Sequence, residues 1–200
     1  MESSYITSAQ QAEQLPRLDH PEVAFVGRSN CGKSSLLNAL LNRANLARAS
    51  NTPGRTQMVN FFAVDHKNKR LILADLPGYG FSAIGKDVRH HWQELVEAYL
   101  ARPELKQTLF LYDIRRTGDL KDDDIGLLNL LTRRKPPAPV TVVLTKADKI
   151  SNSDVAKAIT EMTAALKKHK LKVDAVLAVS TLKKRGIEEL RELMVEPWLK

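Results

Sequence analysis

One cysteine, Cys31, is all the thiol chemistry in the 200-residue chain, so no internal disulfide can form and the sequence suits a reducing compartment. Long apolar runs are missing as well. None approaches the roughly 20 residues that a membrane-spanning helix needs, and the leader MESSYITSAQQAEQLPRLDHP has no apolar segment of the secretory type. A soluble, cytoplasmic protein is expected. Aromatic residues make up only 6% of the chain and form no base-stacking platform of the RNA-binding type. Acidic residues are outnumbered, 23 against 31 Lys and Arg, which leaves a net charge of +8 and favours a polyanionic partner.

What is present reads as one ordinary globular unit, with 43% hydrophobic residues and no internal repeat or low-complexity segment. The expected organisation is a leader over residues 1–21 and a single domain over 22–200, with a monomer as the default. The basic residues are grouped, as in Lys67, Lys69 and Arg70; Arg115 and Arg116; Arg133, Arg134 and Lys135; Lys167, Lys168, Lys170 and Lys172; and Lys183, Lys184 and Arg185. Each group alone reads as a solvated face.

The stretch Gly27 to Ser34, GRSNCGKS, fits G-x-x-x-x-G-K-[ST]. In such a loop backbone N–H groups wrap phosphates, the Lys reaches their outer oxygens and the Ser hydroxyl binds Mg²⁺. That motif requires a strand before it and a helix after it. Glu22 to Val26 is a β-prone run, and Ser34 to Leu41 is a good helix former with an apolar side. Cys31, inside the loop, is either a spacer or a redox-sensitive thiol.

Downstream, Arg43 to Thr56 is rich in small and turn-forming residues and reads as a long loop. Met58 to Asp65 and Arg70 to Asp75 read as strands of a hairpin. Val88, Trp92, Leu95, Val96 and Tyr99 mark a helix whose aromatics belong to the core, with His90 and His91 on its surface. Strands are expected over Thr108 to Ile114, Val140 to Thr145 and Val173 to Val179, with helices over Leu120 to Arg134, around Val155 to Leu166, and from Ile187 to Trp198. The acidic start at Asp122, Asp123 and Asp124 is explained by the helix dipole rather than by a metal. Alternating strands and helices, with strands that are apolar throughout, imply a largely parallel sheet covered on both faces. Ligands of such sheets sit beyond the carboxyl ends of the strands. That directs attention to Asp75 to Gly78, Asp113, Thr145 to Asp148 and Ser180 to Leu182.

Gly27 to Ser34, Thr56, Asp75-Leu-Pro-Gly78, Thr145-Lys-Ala-Asp148 and Ser180-Thr-Leu182 follow the order of the five G motifs of translation-factor-like GTPases. The finer strings TPGRTQ, DLPGYG, TKAD and STLKKRG resemble the EngB/YsxC/YihA family of bacterial ribosome-biogenesis GTPases over nearly all of the chain after the leader. The resemblance implies an α/β, P-loop GTPase three-layer sandwich: a mostly parallel six-stranded sheet with one antiparallel strand and helices on both faces. It implies GTP/GDP and Mg²⁺ as cofactors, and action as a switch in large ribosomal subunit assembly, tied to cell division and septation. The large subunit and its rRNA are the implied partners.

It also implies a set of site residues. The phosphates would meet Gly27, Arg28, Ser29, Asn30, Cys31, Gly32, Lys33 and Ser34. The mobile-loop group would be Gly54, Arg55, Thr56, Gln57 and Met58, with Thr56 completing the Mg²⁺ shell alongside Ser34 and Asp75; Thr52 is the nearby alternative, and the family pattern favours Thr56. Leu76 and Pro77 follow Asp75, and the Gly78 amide would meet the γ-phosphate. At the base, Asp148 would accept from guanine N1–H and the exocyclic amine, donors that adenine lacks in that arrangement. Lys146 would lie along the base or ribose, and Ser180 with Thr181 would offer amides to guanine O6; Thr145, Ala147 and Val179 complete that end. The bland alternative for Asp148 is a helix cap. Tyr79 stands where Ras-like enzymes carry a water-orienting Gln, so intrinsic hydrolysis is expected to be slow. The catalytic set is then Lys33, Thr56 and Asn30, with Asn30 at the position where related potassium-activated GTPases help bind K⁺, and Arg28 and Arg55 as competing sources of charge. The alternative function is a GTP-dependent RNA-binding scaffold with negligible hydrolysis.

Overall fold

The computed structural model describes residues 2–43, 46–47, 58–80, 86–194 and 196–199. The expected loop threonine Thr56, with Thr52, Gly54, Arg55 and Gln57, lies outside the described residues, as does most of the long loop before it.

Two buried strands carry the architecture. β2 (Glu22–Gly27), after an edge strand β1 (Glu2–Ala9), is buried at all six positions, so both of its faces need cover. Val23 and Phe25 pack on one side, Ala24 and Val26 on the other. β6 (Val140–Thr145) is likewise buried throughout, with Val142 and Val143 entering opposite layers. Between them in the chain come β3 (Val59–His66), β4 (Lys69–Asp75) and β5 (Leu105–Asp113); β7 (Ala175–Ala178) follows. The sheet order is β1-β3-β4-β2-β5-β6-β7, and β3 is the strand that runs against the rest.

Helices α1 (Lys33–Leu40) and α5 (Ile187–Met194) cover one face, through Leu36, Leu37, Leu40, Leu190 and Met194. The other face is covered by α2 (Lys86–Leu100), α3 (Asp122–Arg133) and α4 (Asn152–Lys168), through residues such as Tyr99, Leu128 and Met162. Among the described residues no helix is long and apolar enough to cross a membrane.

The sheet has seven strands where the sequence leads to six. The extra one comes from the expected leader: ESSYITSA pairs antiparallel along β3, Glu2 with Asp65 through Ala9 with Val59. Its serines hide it, because an edge strand needs few apolar residues. Ala9 is fully buried, while Tyr5 stays exposed and meets Phe62 edge-on at 5.9 Å. The last helix also differs, since the chain forms α5 and then a short α6 (Glu196–Leu199) instead of one helix. Pro197 has no N–H to continue the ladder.

Two charged groups serve as internal fasteners. Glu22, wholly buried at the start of β2, receives Arg102 Nη2 at 2.6 Å and Nε at 3.2 Å. Burial raises its pKa, opposed by the Arg102 guanidinium. Arg134, grouped in sequence with Arg133 and Lys135 as a solvated basic face, is instead 8% exposed. It donates to the carbonyls of Leu100 and Arg102 at 2.7 Å each, satisfying the end of α2.

Candidate functional site

The carboxyl ends of β2, β4, β5, β6 and β7 lie along one edge of the sheet, so the segments that follow them converge. The phosphate loop begins at the end of β2 and delivers the chain into α1 through Gly32, whose φ of 102° a residue with a side chain rarely adopts. Asn30 is also left-handed at 62°, a conformation that Asn tolerates. Cys31 is buried, and burial pushes its thiol pKa up, which favours a spacer over a reactive thiolate.

The turn after β4 is zipped to this loop. Leu76 N–H donates to Phe25 O at 3.0 Å, and Ser29 N–H to Tyr79 O at 3.1 Å. Gly78 is needed for the approach, since a Cβ there would stand 3.0 Å from the Ser29 nitrogen. Trp92, expected only as core, is half-buried, and its indole N–H reaches Pro77 O at 3.3 Å. Leu76 and Pro77 are themselves buried, which leaves backbone as the part of this turn open to a ligand.

Two groups at this end are short of partners. Lys33 Nζ stands 3.9 Å from Asp75 Oδ1, beyond hydrogen-bond reach, and that oxygen is buried without any hydrogen bond. Burial raises the Asp75 pKa, with Lys33 opposing. A buried carboxylate oxygen that lacks a hydrogen bond and faces an ammonium suits a cation and a polyphosphate. Among the described residues no cluster of three His, Cys, Asp or Glu could hold a metal alone, so a cation here would need Asp75, the Ser34 hydroxyl and the nucleotide together.

The base end is fully tied. Thr145 Oγ1 sits 2.5 Å from Cys31 O and 3.2 Å from Tyr112 O, linking β6 to the phosphate loop and to β5. Lys146, left-handed at φ 60°, puts its ammonium on Asn30 O at 2.7 Å and on Asp113 Oδ2 at 2.9 Å. The expected position along a base therefore holds a side chain whose tip clamps the base loop to the phosphate loop. Asp113 also receives Arg115 through Nη2 at 2.6 Å. Burial would raise its pKa, but these hydrogen bonds outweigh burial and hold the carboxyl well below the usual range.

Asp148 Oδ1 accepts the Ser180 hydroxyl at 2.7 Å, and this bond lowers its pKa. Val179 supports both segments, receiving Ala147 N–H at 3.0 Å and donating to Leu144 O at 2.8 Å. One detail differs from the sequence reading: the Ser180 amide is already bonded to Arg185 O at 3.0 Å, so what Ser180 offers the site is its hydroxyl, and Thr181 alone is left to supply the expected amide. α4 has its own cap, Ser151, which accepts from Asp154 N–H, and the cap role is thereby taken away from Asp148. Met58 lies two strands from the phosphate loop, its sulfur accepting from Gln10.

Two contributors were given other roles, Trp92 and above all Asp124, and Asp113, already singled out at its strand end, gains a definite one as the partner of Lys146. Asp124 was assigned to the helix dipole, yet it is fully buried, with Tyr79 OH at 2.7 Å and Arg28 Nη1 at 3.1 Å. Tyr79 thus faces the core, and burial, with Asp124 beside it, pushes its phenol pKa far up, so the hydroxyl stays protonated and donates. The one local signal available was the capping position, three residues into a helix, where Asp124 also receives Lys121 N–H at 2.9 Å.

Known proteins resemble this chain in sequence and fold. A family described as 50S ribosome-binding GTPase matches residues 22–146. A probable GTP-binding protein EngB from Cereibacter sphaeroides is 42% identical over 191 residues, covering 95% of this chain and 85% of that one. Its counterpart from Caulobacter vibrioides is 43% identical over 193 residues, covering 96% and 81%. Among solved structures, Era in complex with MgGDPNP and a stretch of 16S ribosomal RNA is similar at 25% identity and TM-score 0.71, covering 92% of this chain and 58% of that one. A crystal structure of a probable GTP-binding protein engB superposes at TM-score 0.64 and 22% identity, covering 86% and 95%. Phosphate loop, Asp75 turn and Asp148 loop thus occur together on a shared fold and in a sequence alike over nearly its whole length: the chain belongs to the EngB family of GTP-binding proteins, a family of GTPases.

Proposed function

We propose that this GTPase acts as a GTP-driven switch in assembly of the large ribosomal subunit, in the cytoplasm and in support of cell division. The observation that carries the nucleotide part is the Asp148 carboxylate, held by Ser180 with its acceptor character intact and joined through Lys146 to the phosphate loop. Guanine offers that carboxylate two donors, whereas adenine leaves it unpaired. The ribosomal part rests on the family and on the excess of basic residues.

In the GTP state the loop amides and Lys33 would hold the phosphates. Ser34, Thr56 and Asp75 would hold Mg²⁺, which would supply positive charge against the phosphates. The Gly78 amide would meet the γ-phosphate. Tyr79, facing Asp124, orients no water, which supports slow basal hydrolysis. Arg28 is a poor source of transition-state charge, because leaving Asp124 would strip a buried carboxylate of its partner at a cost of about 3–5 kcal/mol. Arg55 or a partner's group remains, and so does a K⁺ ion beside Asn30, whose side chain is exposed at the loop rim.

Binding and hydrolysis measured together test this reading. GDP is expected to bind far more tightly than ADP, GTP turnover to be faster in KCl than in NaCl, and the GTP-bound protein to cosediment with large rather than small ribosomal subunits. Equal GDP and ADP affinity refutes the guanine assignment, equal rates in the two salts removes K⁺, and no preference between subunits removes the partner. The scaffold alternative is favoured if single-turnover hydrolysis stays negligible even with subunits present.

A further inference from the structure

Asp124 lies in the first turn of α3, yet its side chain belongs to the phosphate end of the molecule. It is fully buried, and its two oxygens receive four hydrogen bonds: Arg28 Nη1 at 3.2 and 3.1 Å, Tyr79 OH at 2.7 Å and its own helix's Lys121 N–H at 2.9 Å. That fills a carboxylate's acceptor capacity. Two of the three donor residues flank glycines of the site, with Arg28 following Gly27 of the loop and Tyr79 following Gly78 of the turn. The same two segments also meet through backbone, as a bridge between Arg28 and Tyr79. The Arg28 guanidinium lies over the Tyr79 ring at 5.7 Å, and Phe110 and Trp92 stand at 6.2 and 6.4 Å from that ring.

A helix cap needs only the Lys121 bond. The other three join the start of the phosphate loop to the turn that carries Gly78, through the side chain of a third element. From this geometry we infer that Asp124 is a positioning residue for GTP hydrolysis: it fixes the distance between the phosphate loop and the Gly78 turn, and so the place of the Gly78 amide relative to the phosphates. GDP, held by the loop itself and by Asp148, does not need that distance to be fixed. The inference rests on the GTPase reading above and deepens it.

D124N keeps the size of the side chain and removes its charge. It is expected to lower kcat for GTP about tenfold while GDP affinity stays within about threefold. Y79F, which deletes a single hydroxyl and leaves the pair with Arg28, should lower kcat about threefold, and the double variant should be no worse than D124N, because both act through one unit. Trp92, bonded to the same turn at Pro77 O, reports the turn without hydrolysis. In a W198F background its fluorescence should change on exchanging GDP for a non-hydrolysable GTP analogue, and D124N should at least halve that change. A D124N protein with normal kcat and a normal Trp92 response overturns the inference, as does a loss of kcat matched by an equal loss of GDP affinity, the mark of general damage. If D124N does not fold, Y79F decides by the same criteria. A wild-type chain that hydrolyses no GTP refutes the GTPase reading, and the Trp92 signal still decides the role of Asp124.

Discussion

The two ends of the nucleotide site are built on opposite principles. At the base end the polar groups find partners within the protein: Thr145 on two carbonyls, Lys146 on Asn30 O and Asp113, Asp148 on Ser180. At the phosphate end Asp75 Oδ1 is buried without a hydrogen bond, and its ion pair with Lys33 is a long one, at 3.9 Å. A site whose groups satisfy one another is shaped before the ligand arrives, which gives selectivity at little ordering cost. A site that leaves a carboxylate unsatisfied gains stability only when a ligand completes it, and folding or loop order becomes linked to that ligand. On the proposed reading, recognition of the base is a fixed property of the fold, while the phosphate end is where a change of nucleotide would have energetic consequences.

The largest effect expected from breaking this contrast is at Asp148. Asn in its place keeps the Ser180 partner but turns one acceptor into an amide donor, which suits the second carbonyl of xanthine and not the amine of guanine. D148N should lose GDP affinity by roughly 10²- to 10³-fold and gain XDP by a comparable factor, measured by nucleotide titration. Unaltered stability of the nucleotide-free protein would mark Asp148 as a group of the ligand and not of the fold.

Asp75 should behave in the opposite way. Its folded-state pKa is raised, chiefly by burial, so ionisation opposes folding; the penalty is fully present above the folded pKa and absent below the unfolded one, near 3.9. D75N is thus expected to raise the melting temperature of the nucleotide-free protein at pH 7 by a few degrees, with the gain shrinking as pH falls towards 4. Stabilisation of the wild type by Mg²⁺ and GTP should be lost in the same variant. A lower melting temperature for nucleotide-free D75N would show that the Lys33 attraction outweighs burial, and the contrast between the ends would collapse.

How much of this was legible in the sequence depended on whether a residue acts through backbone spacing or through distant contact. Gly27 to Ser34 and Thr145 to Asp148 are local motifs at strand ends, and the sheet placed both together as expected. β2 and β6 declared themselves by largely apolar, non-alternating runs. The edge strand Glu2–Ala9 did not, because one exposed face and one neighbour require almost no hydrophobic pattern. Asp124 looked like its neighbours Asp122 and Asp123, both exposed, and only the meeting of α3 with Arg28 and Tyr79, 96 and 45 residues away in sequence, separates them. Arg134 was hidden in the same way within a basic run.

The smallest effect expected is at Ser180, and it sharpens the contrast most finely. Its hydroxyl donates to Asp148 and accepts Lys183 N–H at 3.1 Å, so it is a fastener inside the preformed end rather than a group for the ligand. S180A removes the bond that lowers the Asp148 pKa, which then rises towards the ordinary carboxylate range. A depressed pKa contributes stability present at neutral pH and lost as pH falls through the folded value, so S180A should lower the melting temperature slightly at pH 7 and not at all well below pH 4. GDP affinity should fall about five- to tenfold, since Asp148 remains but must be ordered by the ligand itself. A fall as large as that of D148N would mean that Ser180 contacts the base directly. A fall too small to measure would mean that Lys146 and Val179 alone shape the base end, with Asp148 held in place by its loop.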